Sequence, residues 1–222
     1  LQCVVVHPQW LLVALNLRWQ VYSGINPAQH ADMLREHGRE RFLTGPELRR
    51  LFQALDEEPN QTAAACIALL ALTGARKGEA LAMRWEDVDL SRRTWRVPRS
   101  KSGRTRHIPL SDSAVALLAR QPRLPNVPWV FPGAIAGKPL ENVRKCWDRV
   151  RAGAGLLPDT RIHDLRHSFA SMLVNHGRPI YEVAEILGHN QLSTTKRYSH
   201  LQNERLVEAA NIAGQVVMVP GE

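Results

Sequence analysis

From Thr62 to Leu72 the chain offers almost nothing but apolar side chains, Ala63-Ala64-Ala65-Cys66-Ile67-Ala68-Leu69-Leu70-Ala71-Leu72, and this run constrains the rest of the fold. A helix that is apolar all round cannot lie on a surface, so it needs packed neighbours on most of its sides. Gly74 is placed to end it, because only glycine enters the left-handed C-cap conformation without a steric cost. With 222 residues the chain has enough material to enclose such a helix in one good-sized core, or in a main domain with a small appendage.

The enclosing elements can be placed from periodicity and caps. Thr44, with Glu47 three residues on, forms a capping box that opens a helix through Leu48, Leu51, Phe52 and Leu55. Arg76 starts another helical turn containing Glu79, Leu81 and Met83. Between Trp85 and Leu110 the period changes to two: Val88 and Leu90, then Trp95 and Val97, then His107-Ile108-Pro109-Leu110 read as three short antiparallel strands. Ser100-Lys101-Ser102-Gly103-Arg104 is the hairpin turn between the second and third, with Lys101 at its tip. Ser111 caps a helix through Val115, Leu117 and Leu118, and Pro122, Pro125 and Pro128 mark a rigid connection. A helix over 140–152 turns Val143, Trp147 and Val150 to one face, and two more helical segments follow at about 163–175 and 180–187. The predicted fold is mainly α with a small three-stranded antiparallel sheet.

The ends read differently. Residues 9–22 predict a helix ended by Gly24 and Asn26-Pro27, residues 28–42 a polar linker, and 204–213 a tail helix with Leu206, Val207 and Ala210 as a narrow apolar stripe. A composition shift near residue 42 is the expected domain boundary. The chain starts at Leu1 rather than Met, as a fragment of a longer protein would.

Lys and Arg total 29 against 21 Asp and Glu, a net charge of +8, and this excess favours a polyanionic partner through phosphate contacts and counterion release. Cys3, Cys66 and Cys146 are widely spaced and form no Cys-x-x-Cys pair, which points to a reducing cytoplasm rather than a disulfide framework or zinc ribbon. No apolar run approaches the roughly 18–20 residues of a membrane span.

Chemistry concentrates between His163 and Tyr198, in His163-Asp164-Leu165-Arg166-His167, Leu187-Gly188-His189 and Thr194-Thr195-Lys196-Arg197-Tyr198. At a spacing of three, His163 and Arg166 share a helix face and can reach one ligand, and an arginine fork matches phosphate oxygens. The same segment resembles His-Glu-x-x-His, in which two histidines hold zinc. Asp164 is one carbon shorter than the required base, however, and a third ligand would have to come from His176, His189 or an acid, so the zinc-protease reading is the weaker one. Metal-free phosphoryl transfer needs charge neutralisation at the non-bridging oxygens, a nucleophile and an acid for the leaving oxygen. Arg76 and Arg166 can supply the first, Tyr198 the second and Lys101 the third; a lysine with pKa about 10.4 is protonated at neutral pH, and a tyrosine near about 10 is activated by clustered arginines.

Four segments in order then resemble the catalytic domain of the tyrosine recombinases, the phage-type integrases. They are Thr73-Gly74-Ala75-Arg76-Lys77-Gly78-Glu79, the hairpin Ser100-Lys101-Ser102-Gly103-Arg104-Thr105-Arg106 leading to Ile108-Pro109-Leu110, His163-Asp164-Leu165-Arg166-His167, and Leu187-Gly188-His189 followed nine residues later by Tyr198. The resemblance covers approximately 43–200 and implies the core of a DNA breaking-rejoining enzyme. It further implies that Arg76 and Arg166 clamp the scissile phosphate and that Glu79 supports the arginine and histidine arrangement. Lys101 would be the general acid, His163 the proton acceptor or hydrogen-bonding partner, His189 a phosphate ligand, and Tyr198 the nucleophile that forms a 3′-phosphotyrosyl bond. Neither a cofactor nor a metal is implied. The partners implied are double-stranded DNA and further copies of the chain, a tetramer docked through the C-terminal helix, in the cytoplasm of a bacterium at the nucleoid.

Two departures qualify the resemblance. Only residues 9–27 resemble the last helix of the family's N-terminal core-binding domain, so 1–42 reads as a truncated remnant plus linker and 43–222 as the catalytic domain with its tail helix. Weakened site-specific binding, or binding without turnover, is the consequence expected. Lys77-Gly78 is also more polar and flexible than the pair expected after the first arginine. A type IB topoisomerase would share the chemistry; the tail helix, suited to docking on a neighbouring protomer, argues against it.

Overall fold

The computed structural model describes residues 41–98 and 105–188. The chain divides into two units, Leu1–Arg39 and Glu40–Glu222, and the predicted helices at 9–22 and 204–213 lie outside the described residues. Helix α1 (Gly45–Asp56) opens on the predicted capping box: Thr44 Oγ1 accepts from the Glu47 amide at 3.4 Å, and Glu47 Oε2 accepts from the Thr44 amide at 2.8 Å. Helix α2 (Gln61–Thr73) is the apolar run, and Ala63 through Ala71 are all buried. Residues such as Ile67 and Leu69 have no exposed surface; each such side chain contributes about 1.5–3 kcal/mol by leaving water.

The short helix α3 (Lys77–Leu81) leads through a 3-10 turn (Trp85–Asp87) into an antiparallel sheet of order β1 (Val88–Asp89), β2 (Thr94–Val97), β3 (Arg106–Pro109). Trp95 lies opposite Ile108, both are buried, and this inward face closes on the core. Ser111 caps α4 (Asp112–Ala119) as predicted, accepting from the Ala114 amide at 3.3 Å.

One element starts later than its pattern implies. Helix α5 runs Arg144–Gly153 rather than from residue 140, because Leu140 donates its amide to the Phe131 carbonyl at 2.8 Å in a bridged loop and Asn142 Oδ1 takes the Arg144 amide at 2.9 Å. Val143, Trp147 and Val150 are buried as expected. Helices α6 (Asp164–Asn175) and α7 (Ile180–Leu187) pack on each other through Ala170, Val174, Val183 and Leu187, and α6 also lies against α2. Among the described residues no helix is long and apolar enough to cross a membrane.

Candidate functional site

Two helix ends build the site. The first is the C-terminus of α2, where Gly74 adopts φ +62°. A Cβ at Gly74 would stand 2.6 Å from Phe169 Cδ1 and 2.7 Å from Leu187 Cδ2, so both the left-handed backbone and the tight packing on α6 and α7 require glycine. The second is the C-terminus of α7, where Gly188 has φ +66°. An α-helix leaves its last carbonyls without intrahelical donors, and these carry the negative end of the helix dipole. At α7 three consecutive carbonyls each receive an arginine: Ile186 from Arg106 Nη1 at 2.9 Å, Leu187 from Arg166 Nη2 at 2.7 Å, Gly188 from Arg76 Nη2 at 3.3 Å. Arg166 Nη1 also donates to the Gly74 carbonyl at 2.6 Å, so this guanidinium ties the two helix ends together.

Arg76 stands at the N-cap of α3. Glu79, in the first turn of that helix, accepts from the Arg76 backbone N–H at 2.9 Å and from Arg76 Nη1 at 3.0 Å. Its other partner is Arg106 Nη2, 2.5 Å from Oε2. Burial pushes the Glu79 carboxyl up, but the Arg76 amide, the Arg106 charge and the Arg76 guanidinium outweigh burial and hold it below the usual carboxylate range. The Arg106 guanidinium is pulled down, by burial first, with the Glu79 carboxylate opposing and the like charge of Arg76 adding, and an arginine remains charged at any working pH. Among the described residues three guanidinium groups gather at these helix ends and one carboxylate, Glu79, pairs with two of them, leaving a surplus of positive charge. Such a surplus stabilises an anion and does not by itself hold a metal.

Helix α6 supplies the other half. His163 is its N-cap and Arg166 donates its amide to the His163 carbonyl at 3.1 Å, so both occupy the first turn as the spacing predicted. Asp164 turns back to accept from the Arg161 amide at 2.8 Å and serves as a local cap. The rings of His163 and His167 meet edge to face, centroids 4.9 Å apart. His176, a third ligand in the zinc reading, is the C-cap of the same twelve-residue helix, roughly 20 Å along the axis from His163. Its Nδ1 lies 2.8 Å from the Met172 carbonyl.

Arg76, Glu79 and Arg166 are thus gathered at one locus. Lys101, His189 and Tyr198 lie outside the described residues. Gly188, the residue before His189, is part of the locus. Arg106 is the participant that the sequence reading quoted within the hairpin but gave no role. Its signal was present: Ile108 and Leu110 face inward, so Arg106, two residues earlier on the same strand face, is a charge on a buried surface and needs a partner.

The family model described as the phage integrase family matches residues 41–205. The shufflon-specific DNA recombinase of Escherichia coli is 33% identical over 171 residues, spanning 77% of this chain and 42% of that protein. Tyrosine recombinase XerC of Pediococcus pentosaceus is 31% identical over 183 residues, spanning 76% and 60%. In three dimensions the chain is similar to XerH site-specific recombinase bound to a palindromic difH substrate in a post-cleavage complex, with TM-score 0.63, 26% identity, and 79% of this chain and 54% of that one covered. The chain spans about half the length of the curated relatives it matches.

Proposed function

The chain belongs to the phage integrase family, and from that premise we propose that it is a site-specific DNA recombinase that cleaves and rejoins strands through a 3′-phosphotyrosyl intermediate. The observation that carries this reading is the docking of Arg76 and Arg166 on adjacent carbonyls of one helix end. That arrangement puts two fixed positive charges together before any ligand arrives, and preorganised charge is what a phosphoryl-transfer transition state needs. A guanidinium has five N–H donors, so carbonyl anchoring is compatible with further bonds to phosphate oxygens.

In the proposed reaction the Tyr198 hydroxyl oxygen attacks the scissile phosphorus. A bond from that oxygen to phosphorus forms, the phosphorus–O5′ bond breaks, and the electron pair leaves with O5′. Lys101 gives its proton to O5′, His163 accepts or shares the tyrosine proton, and Arg76, Arg166 and His189 bind the non-bridging oxygens. Glu79 orients Arg76. One phosphoester is exchanged for another, so rejoining by a different 5′-hydroxyl needs no nucleotide or metal. Double-stranded DNA is the proposed substrate, four copies joined through the 204–213 helix the proposed assembly, and the bacterial cytoplasm at the nucleoid the proposed location. Residues 1–42 are proposed to carry part of a DNA-clamping domain plus a linker, and 43–222 the catalytic domain with its tail helix.

The test is a suicide duplex that loses its 5′-hydroxyl fragment after cleavage. Wild type is expected to form a denaturant-resistant adduct and Tyr198→Phe none. An adduct that survives Tyr198→Phe refutes the nucleophile assignment; DNA binding without any wild-type adduct replaces this reading with that of a binding remnant.

A further inference from the structure

Arg106 has 10% of its side chain exposed, and its donors go to two elements that do not touch in sequence. Nη2 pairs with Glu79 on α3, and Nη1 donates to the Ile186 carbonyl near the end of α7. Its Nε is buried and, among the described residues, has no hydrogen-bond acceptor. An orphaned buried N–H costs free energy, and a buried ion pair is a weak stabiliser against an apolar replacement of similar volume. Stability of the sheet therefore does not explain the residue well. Geometry does: Oε2 of Glu79 takes both Arg106 Nη2, at 2.5 Å, and the Arg76 amide, at 2.9 Å, while Oε1 takes Arg76 Nη1 at 3.0 Å. The carboxylate is held from both sides. Room for the arginine comes from Gly188, where a Cβ would lie 2.7 Å from Arg106 Cδ.

We propose that Arg106 is a positioning residue for the Arg76 guanidinium. It fixes the Glu79 carboxylate from the sheet side and ties that carboxylate to the helix end whose next carbonyls hold Arg166 and Arg76. Strand β3 and the arginine pair are thereby registered to each other through one side chain. Lysine cannot substitute, because a single ammonium lacks the planar fork needed to bond a carboxylate and a carbonyl on separate elements. The role in catalysis rests on the reading of Arg76 as a phosphate ligand, whereas the positioning of Arg76 does not.

The experiment compares wild type with Arg106→Lys in the full chain. With 15N-labelled arginine, the Nη signals of Arg76, assigned by their loss in Arg76→Lys, are expected to be separate in wild type because rotation of the guanidinium is hindered, and to merge in Arg106→Lys. Adduct formation on the suicide duplex at saturating protein is expected to slow by roughly 10- to 100-fold, the cost of a misplaced group, while duplex affinity changes by less than about threefold. Arg76 signals that stay separate, or an adduct rate within about twofold of wild type, overturn the proposal. If thermal melting shows Arg106→Lys to be unfolded, Glu79→Gln takes its place and must merge the same signals. A wild type that forms no adduct refutes the recombinase reading alone, and the Arg76 spectrum still decides the positioning role.

Discussion

Arg76 and Arg166 are proposed to bind one phosphate and share one helix end as an anchor, yet the second contact that holds each is of a different kind. Arg76 keeps 29% of its side chain exposed and leans on a carboxylate, Glu79. Arg166 is 4% exposed, and carbonyls of two helix ends hold its terminal nitrogens. A carboxylate cancels much of the charge it orients, and carbonyl dipoles orient a charge without cancelling it. The comparison therefore separates a charge that is tuned from a charge that is structural. On the proposed function, removing either costs chemistry; removing the second also takes a donor from the Gly74 and Leu187 carbonyls inside the protein.

Arg166→Ala is the severest way to examine that division. Adduct formation should fall by at least about 10²- to 10³-fold, as for loss of a transition-state donor, with roughly 2–4 kcal/mol of stability lost in urea unfolding. Arg76→Ala should slow the adduct by a similar factor of about 10²- to 10³-fold while costing about 1 kcal/mol of stability or less. Equal destabilisation by the two variants would break the comparison. Gly188→Ala attacks the helix end on which both arginines dock: a φ of +66° and a contact at 2.7 Å should cost about 1–3 kcal/mol. Gly78→Ala, where an added Cβ meets nothing within 4 Å, should be neutral or stabilising by about 0.5–1 kcal/mol.

The smallest effect is the pH dependence of the tuned side. Glu79 has its folded pKa lowered, so its contribution is complete above the ordinary carboxylate value of 4.5 and is lost as pH falls through the lower folded value. Glu47 and Glu58 are lowered as well, which makes the difference between wild type and Glu79→Gln the informative quantity. That difference, read from urea unfolding, should shrink as the pH falls from 6 to 3. A difference that grows on acidification would show that the carboxylate is not stabilised in its charged form.

Much of the scaffold was legible from local pattern. The Thr44–Glu47 box, the Gly74 stop and the Ser111 cap stand where their side-chain chemistry put them, and the period-two stretch pairs as a three-stranded antiparallel sheet. The start of α5 was not legible, because the amide of Leu140 is taken by Phe131 in a loop that the apolar periodicity of 140–152 does not register. A similar limit applied to Glu79. Its support of Arg76 was implied by the family resemblance, whereas Arg106, its partner 27 residues away, shows in the sequence only as a charge on an inward strand face.

By itself the sequence determined which residues are the candidates for the chemistry, in what order they come, and where the described helices beside them begin and end, since caps, spacing and periodicity act within a turn or two of the chain. Only the tertiary structure decided how the arginines are held. The bond from Arg166 to Gly74 spans 92 positions and that from Arg76 to Gly188 spans 112, and no local rule names such partners. They arise because α2, buried on all sides, brings its glycine end against α6 and α7, where the carbonyls a helix cannot satisfy within itself meet the guanidinium groups that the sequence had already supplied.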